Sequence, residues 1–431
     1  MTPGSRVHSL IDILTFFYDT ALPADVVLVQ FYRDHRFMGS ADRKFISQHF
    51  FNFFRNKGKL DGLARLQGFK STPYSEIMAY FFYVERASML DLEEWGKDSS
   101  YSYGEIPIIV QQFMEWIRLQ QDFEFTKAET LNVPEFFLPL LEQRFSDDLD
   151  DELQALNQPA PLDLRVNTLK ATREQAIEVL GRTFTLETTP YSNLGLRLQG
   201  RPPVTSHVLY EQGSVEIQDE GSQLISLLCG AKPGMSVLDL CAGAGGKTLA
   251  LAAQMENKGR LFACDVNEKR LQKAKERFKR AGIHNVIFHV LAEGDKWAKR
   301  HAQAFDCVLV DVPCSGTGTW RRNPDAPWRT TLESIEKVTI QQQAILQMAA
   351  KLLKKGGRLV YSTCSLLKQE NEEQIEKFLT NNPKFSLRPI PDLWSEVGTD
   401  QPYKGHPDYA VFTPKTYGTD GFFAAVLERN E

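Results

Sequence analysis

From residue 236 to residue 427, short apolar runs alternate with longer stretches of helical periodicity, and this alternation restricts the fold more than any other feature of the chain. Residues 236–240, 260–264, 285–290, 305–310 and 358–362 have the length and apolar content of strands. Residues 247–255, 268–281, 332–354 and 368–380 read as helices. Strands that are apolar on both faces need cover on both, and intervening helices supply it. The expectation is an α/β fold with a parallel sheet, which residues 421–427 close as a late strand. Ligands of such sheets bind beyond the C-terminal ends of the strands, so the loops that follow each strand are where chemistry is to be sought.

The chain before this region has a different texture. Residues 1–145 read as a helical domain, with Leu10, Ile11, Leu14, Phe17 and Tyr18, and again Ile46, Phe50, Phe53 and Phe54, recurring at three and four. Such aromatic stripes are read as core packing rather than as a base-stacking surface. The acidic run from Ser146 to Glu152, followed by Asn157-Gln-Pro-Ala-Pro161, is expected to be a linker over 146–161. Residues 162–221 carry short β-rich runs broken by Pro and Gly, a small α/β segment ahead of a domain spanning 222–431. Residues 1–150 hold 15 Lys+Arg against 22 Asp+Glu, so the net −5 of the chain is concentrated there and argues against indiscriminate nucleic-acid binding. A local basic groove in the second part stays open. The six cysteines form no C-x-x-C pair, so neither a zinc site nor a disulfide framework is expected, and no metal. There is no run of 18 apolar residues and no basic-then-apolar start, and the expected setting is the cytoplasm, without a membrane.

The first strand of the alternating region runs into Asp239-Leu-Cys-Ala-Gly-Ala-Gly-Gly-Lys-Thr248. A phosphate-binding loop would need glycine at 241, which is Cys, and a dinucleotide fingerprint would need it at 248, which is Thr. An acid followed by small residues at alternate positions instead resembles the loop of class I S-adenosylmethionine-dependent methyltransferases. Small side chains let the backbone approach the methionine and ribose of that cofactor. The fold class expected is therefore α/β, a class I (Rossmann-like) methyltransferase sheet with an N-terminal helical domain. Cys241, Ala242, Gly243, Ala244, Gly245, Gly246 and Lys247 would form the cofactor loop. Asp265 ends the second strand, where a carboxylate can accept from both ribose hydroxyls. Glu293 follows the third strand and is preferred over its neighbour Asp295 as acceptor for the adenine amino group. Lys247 opposes a helix dipole, which favours a functional contact, to the cofactor carboxylate or to Asp311.

Two more strand ends carry thiols: Asp311-Val-Pro-Cys314-Ser-Gly-Thr-Gly318 and Tyr361-Ser-Thr-Cys364-Ser365. Cys229, Cys264 and Cys307 lie inside apolar runs and read as small core residues. A thiolate suits covalent addition to carbon 6 of a pyrimidine, which makes carbon 5 nucleophilic toward a methylsulfonium; a base must then remove the carbon 5 proton so that the thiol can leave. Two cysteines and an acid cover these tasks, but the residues alone do not say which cysteine does which.

The loop at 239–248, Asp311-Val-Pro-Cys-Ser-Gly316, Arg321-Arg-Asn-Pro-Asp325 and Ser362-Thr-Cys-Ser365 followed by Glu370-Asn-Glu-Glu373 together resemble the RNA 5-methylcytosine methyltransferases, in their bacterial Sun/Fmu-type branch. Arg165-Val-Asn-Thr-Leu-Lys170, Gln218-Asp-Glu-Gly-Ser-Gln223 and Thr419-Asp-Gly-Phe-Phe423 extend the likeness over roughly 162–428. The resemblance implies that Cys364 is the nucleophile, that Cys314 assists product release, and that Asp311 bonds the cytosine ring nitrogen and contacts the cofactor. It also implies RNA contacts by Arg165, Lys170 and Arg322. In that branch a helical domain resembling the antitermination factor NusB precedes the catalytic part, and residues 1–145 are compatible with one. Ala244 departs from the family loop, which carries proline there, and puts loop rigidity in question. The function implied is methylation of carbon 5 of a cytosine in RNA, foremost 16S ribosomal RNA, in naked form or in a small-subunit assembly particle. Transfer RNA as substrate and a non-catalytic assembly protein are the alternatives.

Overall fold

The computed structural model describes residues 1–292 and 294–430. The chain divides into two compact units, one of Met1–Gln158 with Trp320–Thr330, the other of Pro159–Thr319 with Thr331–Glu431.

The first unit is helical throughout its described elements. Its core is built from the stripes read in the sequence: Leu10, Leu14, Ile46, Phe50, Phe53 and Phe54 are fully buried, and Phe17 meets Phe54 at 4.8 Å between ring centroids. Tyr18 stays largely at the surface. The acidic run expected as a linker is instead a short turn of 3-10 helix, Ser146–Asp148, leading into the helix Leu149–Leu156. Leu149, Leu153 and Leu156 recur on one face and are buried, and that apolar spacing outweighs the acidic composition.

A segment from far along the chain completes this unit. The Asp325 carboxylate accepts the Ala24 N–H at 3.1 Å and the Arg329 guanidinium at 2.7 Å. Arg55 donates to the carbonyls of Asn157 and Arg321, at 2.9 and 2.8 Å. Trp320 packs edge-on to Phe137. The stretch directly after the Pro313-Cys314 loop is thus part of the helical unit, which periodicity within residues 1–145 could not have disclosed.

The second unit begins with a four-stranded antiparallel sheet in the order 186–188, 195–198, 162–166, 215–217. Its large sheet has eight strands, numbered here β1 (Ser236–Asp239), β2 (Arg260–Asp265), β3 (Val286–Val290), β4 (Phe305–Asp311), β5 (Leu353–Thr363), β6 (Phe385–Leu387), β7 (Ala410–Phe412) and β8 (Phe422–Arg429). The order is β3-β2-β1-β4-β5-β8-β6, with β7 on β8. Strands β1 to β5 pair in parallel as expected, but β8 enters antiparallel between β5 and β6, so the sheet is mixed. The short strands β6 and β7 had no legible signal. Helix α1 (Gly246–Gln254) follows β1, α2 (Glu268–Ala281) follows β2, α3 (Leu332–Leu352) precedes β5, and α4 (Glu372–Asn381) follows it. Asn267 caps α2 through the Arg270 N–H, and Gly282 ends it in the left-handed region at φ +74°. Strand order reverses between β1 and β4, which opens a crevice at their C-terminal ends. Among the described residues no helix is long and apolar enough to cross a membrane.

Asp325 is the test of the inserted segment. Asp325→Ala is expected to cost the helical unit about 1–3 kcal/mol, because a buried N–H and a guanidinium lose their acceptor. Urea unfolding followed by tryptophan fluorescence would show this, whereas removing the exposed Lys337–Glu333 pair should change stability by less than about 0.5 kcal/mol.

Candidate active site

Three loops meet at the crevice. The first follows β1 and bends at Gly243 (φ +55°) and Gly245 (φ +80°) into α1. A side chain at Gly245 would strike the Phe278 ring at 2.5 Å, whereas the space where one would stand at Gly243 is open. The loop is pinned from two sides. Asp265 accepts the Gly243 N–H at 2.8 Å and the Asn267 N–H at 2.7 Å. Arg277 donates to the Ala244 carbonyl at 2.7 Å, and its other nitrogen is held by Glu216 at 3.0 Å. The position where the family has proline is therefore held by a guanidinium, which answers the question that Ala244 raised.

Lys247, at the first turn of α1, points back across the crevice. Its ammonium bonds Asp311 Oδ2 at 2.6 Å and lies 5.5 Å from the Phe422 ring centroid. Of the two contacts expected for this lysine, the one with Asp311 is present. Burial alone would pull the Lys247 pKa down, but the Asp311 carboxylate outweighs it and the group lies above the ordinary lysine value. The Ser362 hydroxyl donates to the other Asp311 oxygen at 3.0 Å.

The second and third loops continue β4 and β5, whose parallel register sets Asp311 beside Ser362. Three and two residues further on, the thiols of Cys314 and Cys364 stand 3.3 Å apart. Gly318 donates to the Cys364 carbonyl at 2.9 Å and sits so close to Gly421 that a side chain there would meet its carbonyl oxygen at 2.1 Å. The Cys314 thiol is held well above its ordinary pKa, first by its hydrogen bond with Cys364 and then by burial, and so keeps its proton. Cys229, Cys264 and Cys307 are buried, as their apolar surroundings suggested. Cys241 lies in the glycine loop with its thiol pushed up by burial and nearby carboxylates.

The basic residues expected to touch RNA fare differently. Arg165 is a correction: it is 2% exposed, its Nε donates to Gln218 at 2.6 Å, and burial lowers its pKa to about 10. Residues 163–166 are all buried, so both faces of this strand are covered, and Arg165 is enclosed opposite the buried Glu216. Lys170 spends its ammonium on the carbonyls of Gln212 and Arg280, at 2.6 and 2.7 Å. Arg322 is half-buried in the segment that joins the helical unit. Glu293 lies outside the described residues, but its competitor Asp295 is engaged with His289 and the Trp297 N–H.

The residues present fit S-adenosylmethionine. Asp239 was read only as the acid opening the loop pattern, yet it is fully buried, bonded through one oxygen to Thr248 at 2.6 Å, while its other oxygen has no partner. A buried orphan acceptor beside an open glycine cradle suits a cationic ligand. The sheet order, the glycine loop at its switch point and the acid ending β2 define a class I S-adenosylmethionine-dependent methyltransferase.

Comparison with known proteins narrows the class. Residues 227–428 match the family model of the 16S rRNA methyltransferase RsmB/F, and residues 133–205 that of the RsmF/B-like ferredoxin-like domain. The probable ribosomal RNA small subunit methyltransferase B of Synechocystis is 35% identical over 309 residues, covering 70% of this chain and 68% of that protein. The solved structure of PH0851 is 25% identical, covers 99% of both chains and superposes with a TM-score of 0.81. A methyltransferase homolog from Pyrococcus horikoshii is 28% identical, with a TM-score of 0.60 over 70% of this chain and 97% of that one. The chain belongs to the RsmB/F family of 16S rRNA methyltransferases, and it is an S-adenosylmethionine-dependent rRNA methyltransferase.

Desolvation raises the Asp239 carboxyl from 3.8 to about 7. Between those pH values folding takes up a proton, so this group withdraws stability as pH rises through the window, and the loss is complete above it. Asp239→Asn is therefore expected to gain stability relative to the parent between about pH 5 and pH 8, by roughly 2 kcal/mol. Thermal melts of both proteins at the two pH values would show it; a pH-independent difference would contradict the burial of this charge.

Proposed function

We propose that this enzyme methylates carbon 5 of a cytosine in 16S rRNA through a covalent bond between Cys364 and carbon 6. The observation that carries the reading is the pair of thiols 3.3 Å apart at adjacent strand ends, next to the glycine loop, in a chain of this family. A methyl transfer to nitrogen or oxygen needs no thiol, whereas transfer to an unactivated ring carbon does.

When bound, S-adenosylmethionine supplies a methyl group on a positively charged sulfur. Asp239 holds the cationic methionine end, Asp265 the ribose hydroxyls, and Cys241 to Lys247 line the remainder. Glu293 takes the adenine amino group, since Asp295 is engaged elsewhere. The Cys364 sulfur adds to carbon 6, and electron density moves to carbon 5. Asp311 steadies the ring nitrogen as that density builds, with Lys247 and Ser362 holding its carboxylate in place. After transfer a water molecule takes the carbon 5 proton, the electrons of that bond re-form the carbon 5–carbon 6 double bond, and Cys364 leaves as a thiolate. Cys314 assists this release: its sulfur lies beside the leaving one, and as a thiol it can return a proton to it.

The base must leave its stack to reach both sulfurs, so the substrate is a single-stranded or extrudable cytosine. Because Arg165 is buried, the RNA backbone contacts that the family resemblance implies are left to Arg322 and Lys170. The setting is the cytoplasm, on rRNA free or within an assembling small subunit.

Cys364→Ala is expected to abolish both turnover and the protein–RNA adduct, whereas Cys314→Ala should trap the adduct. Denaturing gels of enzyme mixed with 16S rRNA, and bisulfite sequencing of the product, read both. An adduct that persists in the Cys364 variant would reverse the two roles, and methyl groups found on transfer RNA alone would replace the substrate.

A further inference from the structure

The two reactive loops are fastened to each other by one carboxylate. Glu370 is fully buried just before α4. One of its oxygens accepts the Ser315 N–H at 2.8 Å and the Gln342 amide at 3.0 Å. The other accepts the hydroxyls of Ser315 and of Ser365, the latter at 2.6 Å. Ser315 adjoins Cys314, and Ser365 adjoins Cys364. Four donors fill the acceptor capacity of a carboxylate, so Glu370 has none left for a ligand. Gln342 also donates to the Pro313 carbonyl at 2.9 Å, and Asn371 ties down the third loop through the Ser365 carbonyl at 2.8 Å. Charge-assisted bonds in a dry interior are stiff, and both Cα atoms that carry the thiols are one residue away from them.

We propose that Glu370 is the positioning residue that sets the distance between the two catalytic sulfurs, by binding the residue after each cysteine with the same carboxylate. It touches neither RNA nor cofactor, and it acts only through Ser315 and Ser365. This rests on the reading that both thiols act in one reaction. Two sulfurs on separate strands would otherwise drift by the freedom of two loops, and a displacement of about 1 Å at a reacting atom can cost about 100-fold in rate.

The test is Glu370→Gln, which keeps the shape but removes the charge and replaces one acceptor by an NH2 that faces the Ser315 and Ser365 hydroxyls, so that neither hydroxyl can donate to it. Two readouts are taken: kcat on 16S rRNA, and the rate at which diamide oxidises Cys314 and Cys364 to a disulfide in the RNA-free protein, followed by mass spectrometry. The crosslinking rate reports sulfur separation without any turnover. The expected result is a fall in kcat of about 100-fold, with the KM for S-adenosylmethionine nearly unchanged, and slowed crosslinking. Ser315→Ala and Ser365→Ala, which remove single donors, should give intermediate losses of about tenfold each and keep the inference testable if Glu370→Gln does not fold. Unchanged crosslinking in folded variants overturns the proposal, whatever happens to kcat. Slowed crosslinking with full turnover upholds the clamp and removes the two-thiol reading instead.

Discussion

The parallel pairing of β4 with β5 is the constraint on which the rest of the site depends. Its register sets Asp311 beside Ser362, so the loops that leave the two strands start side by side and their thiols meet a few residues later. Parallel strands need their helices elsewhere, and α3, which returns the chain from β4 to β5, lends Gln342 to the floor beneath the same loops. The sheet's backbone hydrogen bonds thus start the two loops side by side and bring residues 50 positions apart within reach of one sulfur–sulfur contact.

Charge is arranged around that contact with little slack. Asp311 and Asp239 act on the buried Lys247 ammonium, and Asp239 is raised by burial and by its two acidic neighbours, Asp311 and Asp265. Like charges crowded in a dry crevice are costly unless a cation arrives, and the cofactor carries cationic groups. The loop that shapes the crevice is held rigid by Asp265 and Arg277 rather than by a proline ring. A guanidinium anchored on the buried Glu216 replaces a covalent restraint with an electrostatic one, which ties the small antiparallel sheet to the cofactor loop.

Much of this was legible from residues alone, and the exceptions share a cause. Strand ends at Asp265 and Asp311 followed from apolar runs that stop before an acid, the first strand was read one residue past its end at Asp239, and α2 was readable over 268–281 from its alternation with the strands. The core role of Phe50, Phe53 and Phe54 followed from periodicity. What escaped needed partners distant in sequence. The Ser146–Leu156 stretch looked like a linker because its acids are counted before its three leucines find a face. Arg165 looked like an RNA contact because a basic residue on a short strand gives no sign of which face is covered. Glu370 appeared only as part of a resemblance; its bonds to Ser315 and Ser365 come from a fold that local pattern does not encode. The capture of Trp320–Thr330 by the helical unit is of the same kind.

In the proposed reaction one sulfur makes the addition. Transcribed 16S rRNA carrying 5-fluorocytidine should stall the enzyme after methyl transfer, since fluorine leaves no proton on carbon 5 to remove. Protease and nuclease digestion of the trapped complex, followed by peptide mass spectrometry, would locate the bond. The prediction is a nucleotide on the peptide that contains Cys364, dependent on S-adenosylmethionine and absent from the Cys314 peptide. A nucleotide on Cys314, or methylation of 16S rRNA without any trapped adduct, would contradict it.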